Sequence, residues 1–190
     1  MGGDKSLGRP RSEARRQAIL TAAMAELREK GYAALTIEGI AARAGAGKQT
    51  IYRWWPSKAD VVLDAMLEQA ASIIAIPDKG SLPEDLLAFL SETFQQRDQR
   101  PVLLGLMAHA LLDPAFAQAF RDRFLFSRRA ALREILERAT ARGEIAPEVD
   151  PELLIDVVYG VLWYRLLLDH APLDRKAGRQ LAELVLRAIR

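Results

Sequence analysis

Helix-breaking residues punctuate this 190-residue chain at short intervals, and the segments between them carry apolar residues at helical spacing. The breaks fall at Gly31-Tyr32, Gly45-Ala46-Gly47, Pro56, Pro77-Asp78-Lys79-Gly80, Arg100-Pro101, Asp113-Pro114, Gly143 to Pro151 and Ala171-Pro172. β-branched alternation is absent, as are Asn-Gly and Asp-Gly hairpin turns. The pattern predicts an all-α chain of about nine helices. With half of its residues hydrophobic, a chain of this length buries roughly 70 % of its unfolded surface and needs no staple.

Several helix starts are written out chemically. Ser57-Lys58-Ala59-Asp60 and Ser81-Leu82-Pro83-Glu84 have the capping-box pattern. Asp113-Pro114 and Asp150-Pro151 place an acidic N-cap before a first-turn proline. Along Glu13–Lys30, Leu20, Ala23 and Leu27 share one face, and Gly31 is the expected C-cap. The segment Pro151–Asp169 is apolar nearly all round, which predicts burial, in part against a second subunit. The last helix, near Asp174–Ile189, carries Leu181, Leu184, Val185, Ala188 and Ile189 on one stripe. A two-fold dimer seam is therefore expected at Val158, Tyr159, Leu162, Leu181, Leu184 and Val185; the alternative is an ordinary intrachain core.

Composition removes several function classes. Without cysteine there is no disulfide framework, thiolate zinc site, iron–sulfur cluster or cysteine nucleophile. The two histidines, His109 and His170, exclude a histidine-rich metal site, so no metal, cofactor or catalytic residue is expected. The polar start lacks the apolar run of a signal peptide, and the longest apolar stretches, Val102–Leu112 and Val157–Tyr164, are far shorter than the roughly 20 residues of a membrane span. A cytoplasmic protein without membrane partners is expected. The net charge of +2 hides an asymmetry: residues 1–60 hold 11 Lys/Arg against 6 Asp/Glu, whereas residues 61–190 hold 16 against 19. A basic front on a mildly acidic remainder suggests contact with a polyanion.

The informative stretch is Thr36–Lys58, TIEGIAARAGAGKQTIYRWWPSK. Thr36 is a good N-cap, and Ile37, Ile40 and Ala41 form the inner face of a short helix ending near Ala44. Gly45 supplies a left-handed residue for a tight turn, and a second short helix follows from about Lys48 to Trp55. Two short helices about a glycine turn make a helix-turn-helix unit. Ile51 and Trp55 face inward, which leaves Lys48, Gln49, Thr50, Tyr52 and Arg53 to present donors and acceptors suited to phosphates and base edges.

In Ala18–Ala23 (AILTAA), Glu29–Tyr32 (EKGY), Leu35–Ala41 (LTIEGIA), Ala44–Tyr52 (AGAGKQTIY) and Tyr52–Lys58 (YRWWPSK), residues 9–66 closely resemble the DNA-binding domain of the tetracycline-repressor-like transcriptional regulators. Residues 67–190 match in helix count and lengths. The resemblance implies a basic arm at 1–11, a three-helix DNA-binding domain at 12–56 and a helical ligand-binding and dimerisation domain at 57–190. It implies phosphate contacts from Tyr52, Lys58 and Thr36, and base reading by Gly47, Lys48 and Gln49, with Thr50 and Arg53 beside them. Arg9 and Arg11 suit a minor groove, or belong to a plain tail. Two departures stand out: Trp54, where a histidine or another polar residue is common, and Glu26, where leucine is frequent.

The resemblance further implies a small-molecule cavity in the rear domain, with Met66, Phe94, Leu104, Met107, Phe120 and Phe124 as candidate lining and His109, Arg97 and Arg100 as polar groups able to orient a ligand. The expected protein is a homodimeric repressor, released from a palindromic operator in double-stranded DNA by a small, mainly apolar effector. Its alternatives are an architectural DNA binder without a ligand and an all-helical enzyme, the latter lacking a glycine-rich phosphate loop or nucleophile elbow.

Overall fold

The computed structural model describes residues 8–71, 76–95 and 97–189. Among them lie ten α-helices: α1 (Gly8–Ala34), α2 (Ile37–Ala44), α3 (Lys48–Tyr52), α4 (Lys58–Ala71), α5 (Leu82–Thr93), α6 (Arg100–Leu112), α7 (Pro114–Phe120), α8 (Phe126–Ala141), α9 (Pro151–Leu168) and α10 (Arg175–Ala188). A π-helical segment, Arg121–Leu125, joins α7 to α8, so counting that run as one helix gives the nine expected. No strand occurs among the described residues.

Packing divides the chain into two compact units: Met1–Ile73 with Gly105–Phe120, and Ile74–Leu104 with Arg121–Arg190. The sequence placed the division at residue 57; by packing, α4 and the stretch Gly105–Phe120 group with the N-terminal helices.

In the first unit, the expected face of α1 is buried at Leu20, Ala23 and Leu27, joined by Ile19, with Ile40, Ile51, Trp55 and Val62 also in the core. Gly31 has a left-handed φ of 73°, but the helix kinks there and resumes to Ala34 instead of ending. Ser57 and Asp60 form the expected box: Asp60 accepts from the Ser57 N–H at 3.0 Å, and Ser57 Oγ accepts from the Asp60 N–H at 3.3 Å. Asp113 caps α7 through the Ala115 and Phe116 N–H groups. Met66 and Phe120 are buried in this unit's core, and Met107 belongs to the same unit.

In the second unit α5 packs closely on α10. Gly178 makes this possible, because a Cβ there would lie 2.4 Å from the Leu90 carbonyl oxygen. Asp150 and Asp174 cap α9 and α10 by accepting from Glu152 and Ala177 N–H groups. Ser81 departs from the expected box: its hydroxyl meets Glu84, and the Leu82 N–H is taken by Glu144 at 2.6 Å. Arg100 donates to the Leu166 and Leu167 carbonyls, a cation closing the C-terminal end of α9.

The single chain itself covers most of the expected seam residues. Val158, Tyr159, Leu162, Leu181 and Val185 are buried within the single chain, because α9 and α10 turn these faces into their own unit's core. Only Leu184 of the six is exposed, at 55 %. The outward apolar residues of α9 are instead Leu153, Val157, Tyr164, Leu167 and Leu168.

Candidate nucleic-acid interface and ligand cavity

Thr36 ends its extended stretch by accepting the Gly39 N–H on Oγ1 at 3.1 Å, which starts α2. Gly45, with φ 60°, caps α2 through bonds from its N–H to the Ala41 and Ala42 carbonyls, and the chain turns into α3. The regular helix α3 ends at Tyr52, sooner than expected, but Arg53 keeps helical φ and ψ, and the Trp54 and Trp55 N–H groups both reach the Ile51 carbonyl at 2.9 Å as the chain turns. Ile51 and Trp55 are buried as expected, and Trp55 Nε1 is tied to Asp64 at 2.9 Å.

Anchoring Ile51 inward turns the rest of α3 outward. Gly47, Lys48, Gln49, Tyr52 and Arg53 are exposed, Tyr52 by 52 %, and Thr50 is half-buried. Lys48 Nζ lies 3.0 Å from Glu38 Oε1. Its hydrogen bond to Glu38 raises the lysine above its ordinary range and draws the carboxyl below its own. The Arg53 guanidinium stacks on the Trp54 ring at 5.4 Å, and Trp54 stands edge-on to Trp55 at 5.5 Å. Half-buried Trp54 thus packs on its neighbours while carrying an arginine on its ring.

Lys58 has other partners than a phosphate. Its ammonium donates to the Tyr32 and Leu35 carbonyls at 3.1 and 3.0 Å and sits 4.8 Å from the Tyr32 ring. A phosphate contact would have to replace these bonds. Arg9 and Arg11 fall at the start of α1, and their side chains lie outside the described residues, as does that of Arg97.

Sequence reasoning missed what holds the helix pair to α1. Glu26, only 4 % exposed, accepts from Lys30 at 2.6 Å and from Arg43 Nε at 2.9 Å. Arg43 also reaches Glu29. Gly39 leaves room for this carboxylate, since a Cβ there would meet Glu26 Oε2 at 2.6 Å. The Lys30 hydrogen bond, and after it Arg43, hold Glu26 below the ordinary carboxylate range against the opposing effect of burial.

The second unit contains a cavity of about 330 Å³, lined by Thr93, Leu103, Phe124, Leu125, Arg128, Arg129, Asp156, Tyr159, Gly160, Leu162 and Trp163. Of the six lining residues expected, Phe124 alone is there. Met66 and Phe120 are core of the first unit, and Phe94 is fully buried core of the second. In α6 it is Leu103, not Leu104 or Met107, that reaches the cavity. Tyr159 and Leu162, expected in the seam, face it instead. His109 belongs to the first unit, 4.9 Å from the Phe116 ring, and Arg100 is bound to α9 carbonyls. The polar groups of the cavity are Thr93, Arg128, Arg129, Asp156 and the Tyr159 hydroxyl, none of them among the polar groups expected from the sequence.

Tyr159 donates from its hydroxyl to the Arg128 carbonyl at 2.7 Å, and burial pushes the phenol well above its ordinary range. The Arg128 guanidinium stands 5.4 Å from the Phe124 ring centroid, and burial lowers its pKa. Arg129 pairs with Asp156 and with Glu152, the latter at 2.8 Å. Arg133 adds a second bond to Glu152 at 2.6 Å, and hydrogen bonds from Arg133 and Arg129 pull the Glu152 carboxyl to about 2. Among the described residues no cluster of His, Cys, Asp and Glu could hold a metal ion, and no helix is long and apolar enough to cross a membrane.

Comparison with known proteins agrees at both ends of the chain. Residues 19–65 match the model for bacterial regulatory proteins of the tetR family, and residues 76–185 match that for the tetracyclin repressor-like C-terminal domain. The chain is 38 % identical over 163 residues to YdeS of Bacillus subtilis, named an uncharacterized HTH-type transcriptional regulator, covering 85 % of this chain and 82 % of that protein. It is 31 % identical over 186 residues to the DNA-binding transcriptional repressor TetR of Mycobacteroides abscessus, covering 95 % and 96 %. The crystal structure of the TetR family transcription regulator SCO0332 superposes with a TM-score of 0.79 at 32 % identity, covering 93 % of this chain and 98 % of that one.

Proposed function

Because the chain belongs to the tetracycline-repressor family of bacterial transcriptional regulators, we propose that it is a homodimeric repressor that reads a palindromic operator with α3 and is released by a small effector bound in the second unit. The observation that carries this reading is the α2–Gly45–α3 arrangement, with Ile51 and Trp55 anchored inward and Lys48, Gln49, Tyr52 and Arg53 displayed outward. In helix-turn-helix proteins, the front of the second helix reaches base edges, which assigns Lys48 and Gln49 to sequence reading, with Gly47 allowing close approach and Thr50 beside them. Tyr52, Thr36 and Arg53 suit phosphates. No catalytic role is assigned to any residue, and the site of action is the cytoplasm, with the DNA.

The apolar stripe of Leu153, Val157, Tyr164 and Leu168 on α9, with Leu184 on α10, supports an isologous seam, and two-fold symmetry implies a palindrome. Release requires that the effector bind the non-DNA conformation more tightly, by about 5 kcal/mol to convert mostly bound to mostly free. The effector reading draws support from the cavity and from α6, which carries Leu103 at its wall and runs on into residues of the first unit.

Fluorescence-anisotropy titration of the full chain with DNA from upstream of its own coding sequence tests the reading. Nanomolar binding with preference over scrambled DNA is expected. Equal affinity for both would leave an architectural binder.

A further inference from the structure

We infer that the cavity of the second unit is built for a small organic anion, a carboxylate on an apolar or aromatic body, whose charge is taken by Arg128. This rests on the effector reading above and specifies its chemistry, where the sequence suggested a mainly apolar ligand.

The walls supply the body's environment. Leu103, Phe124, Leu125, Leu162 and Trp163 are apolar or aromatic, as in most small-molecule sites. The charges supply the selectivity. Three charged residues line the cavity: Arg128, Arg129 and Asp156. Arg129 is committed to Asp156 and to Glu152, and Glu152 is shared with Arg133. Arg128 has no carboxylate partner among the described residues, and its guanidinium rests on the Phe124 ring. Two arginines against one aspartate leave one positive charge on the lining.

Arginine does not escape this by losing its proton. A cation drawn out of water without a counter-ion is costly, and a neutral ligand filling the cavity would strip further water from it. A carboxylate reverses the sign: it supplies the missing charge and matches the planar guanidinium fork with two parallel hydrogen bonds. The excess of one positive charge suits a monoanion. The Tyr159 hydroxyl is spent on the Arg128 carbonyl, where it fixes the backbone that carries the guanidinium. At about 330 Å³ the cavity stands at the small end of the roughly 300–1,000 Å³ of ligand sites, which favours a free acid over a bulky conjugate.

Isothermal titration of the full-length protein with 2-naphthoate and octanoate, against the neutral 2-naphthamide and octanamide, tests this. The acids are expected to bind at least about ten-fold more tightly than their amides. In Arg128→Gln the acids should fall to the level of the amides, and Arg128→Lys should retain part of the preference. Quenching of tryptophan fluorescence, lost in Trp163→Phe, locates the binding. Amides as tight as acids, no acid binding at millimolar concentration, or an acid preference that survives Arg128→Gln would each overturn the proposal. If Arg128→Gln does not fold, the acid-to-amide ratio of the wild type decides alone. A DNA titration with each compound separates the two readings. Acid-selective binding without DNA release supports the anion site and overturns induction, whereas release by the amides alone supports induction and overturns the anion site.

Discussion

Glu38 stands on the outer rim of the helix pair, where its carboxylate pairs with the first side chain of α3. A phosphate or base arriving at Lys48 must displace that carboxylate, and the remaining charge repels the DNA. Glu38→Gln is therefore expected to tighten binding to any DNA and to steepen the dependence of log K on log salt by about one unit per subunit, measured by anisotropy between low and moderate salt. Among the described residues no carboxylate pairs with Gln49, which is exposed. Gln49→Ala should relax preference at one base position per half-site, by about 1–3 kcal/mol, and selection from a random-sequence pool reads this directly as a degenerate position. An unchanged selected motif would remove Gln49 from the readers. At this scale the sequence was legible wherever a side chain's role follows from its helical position: Ile51 and Trp55 in, Lys48 and Gln49 out. It was not legible for Lys58, because the carbonyls that hold it belong to residues 23 and 26 positions away.

Between elements, the contact of α2 with α1 depends on a carboxylate. Glu26, Arg43, Glu29 and Lys30 form one ion network, closed over the Gly39 backbone. The Glu26 pKa is lowered on folding from the usual 4.5. Its stabilising contribution is therefore complete above that value and disappears as pH falls through the lower folded pKa. Glu26→Gln should be less stable than wild type at neutral pH and should show a shallower loss of stability below about pH 4.5, measured by urea unfolding across pH. Glu29 and Glu152 are lowered in the same direction, so the acid slope decreases without vanishing. Capping was readable at this scale because it is local: Ser57, Asp113 and Asp150 each find the N–H groups their spacing predicts. The cavity was not, because its walls come from α5, α6, the π-helical segment, α8 and α9, and only their packing separates Leu103 from Leu104. An aromatic-rich stretch reads the same whether it fills a core, as Phe116 and Phe120 do, or leaves space, as Phe124 does.

For the whole molecule, the faces of α9 and α10 separate two kinds of disruption that the sequence had merged. Leu184→Asp places a charge on an exposed apolar position and is expected to yield folded monomers by sedimentation, with half-site DNA affinity only. Val158→Asp buries an unpaired carboxylate in the chain's own core, which costs several kcal/mol, and is expected to unfold the protein before it dissociates. A Leu184→Asp variant that remains a tight dimer would move the seam elsewhere. Helix count and apolar character were plain in the sequence. Which side of a mostly apolar helix faces inward was not, because α9 marks its outside only with Glu152 and Asp156 in the first two turns and Arg165 near its end, among exposed Leu153, Val157, Tyr164, Leu167 and Leu168.

The chain passes between its two units three times, after Ile73, within α6 after Leu104, and after Phe120. The first unit is thus assembled from two separated pieces, and the second piece is structural: Gly105 lets the Tyr32 ring approach to where a Cβ would stand, 2.1 Å from the ring. A fragment ending at residue 73 lacks that piece. Its amides should exchange with deuterium faster than the same segment in the intact chain, beginning around Tyr32. Inheritance is constrained in the same way. A reading head made of one uninterrupted stretch can be grafted by a single crossover onto any sensor, but this one leaves sixteen of its residues behind on the other side of the break. New pairings of operator and effector in this lineage are thus expected to arise by substitutions within intact chains or by exchanges that carry both pieces together.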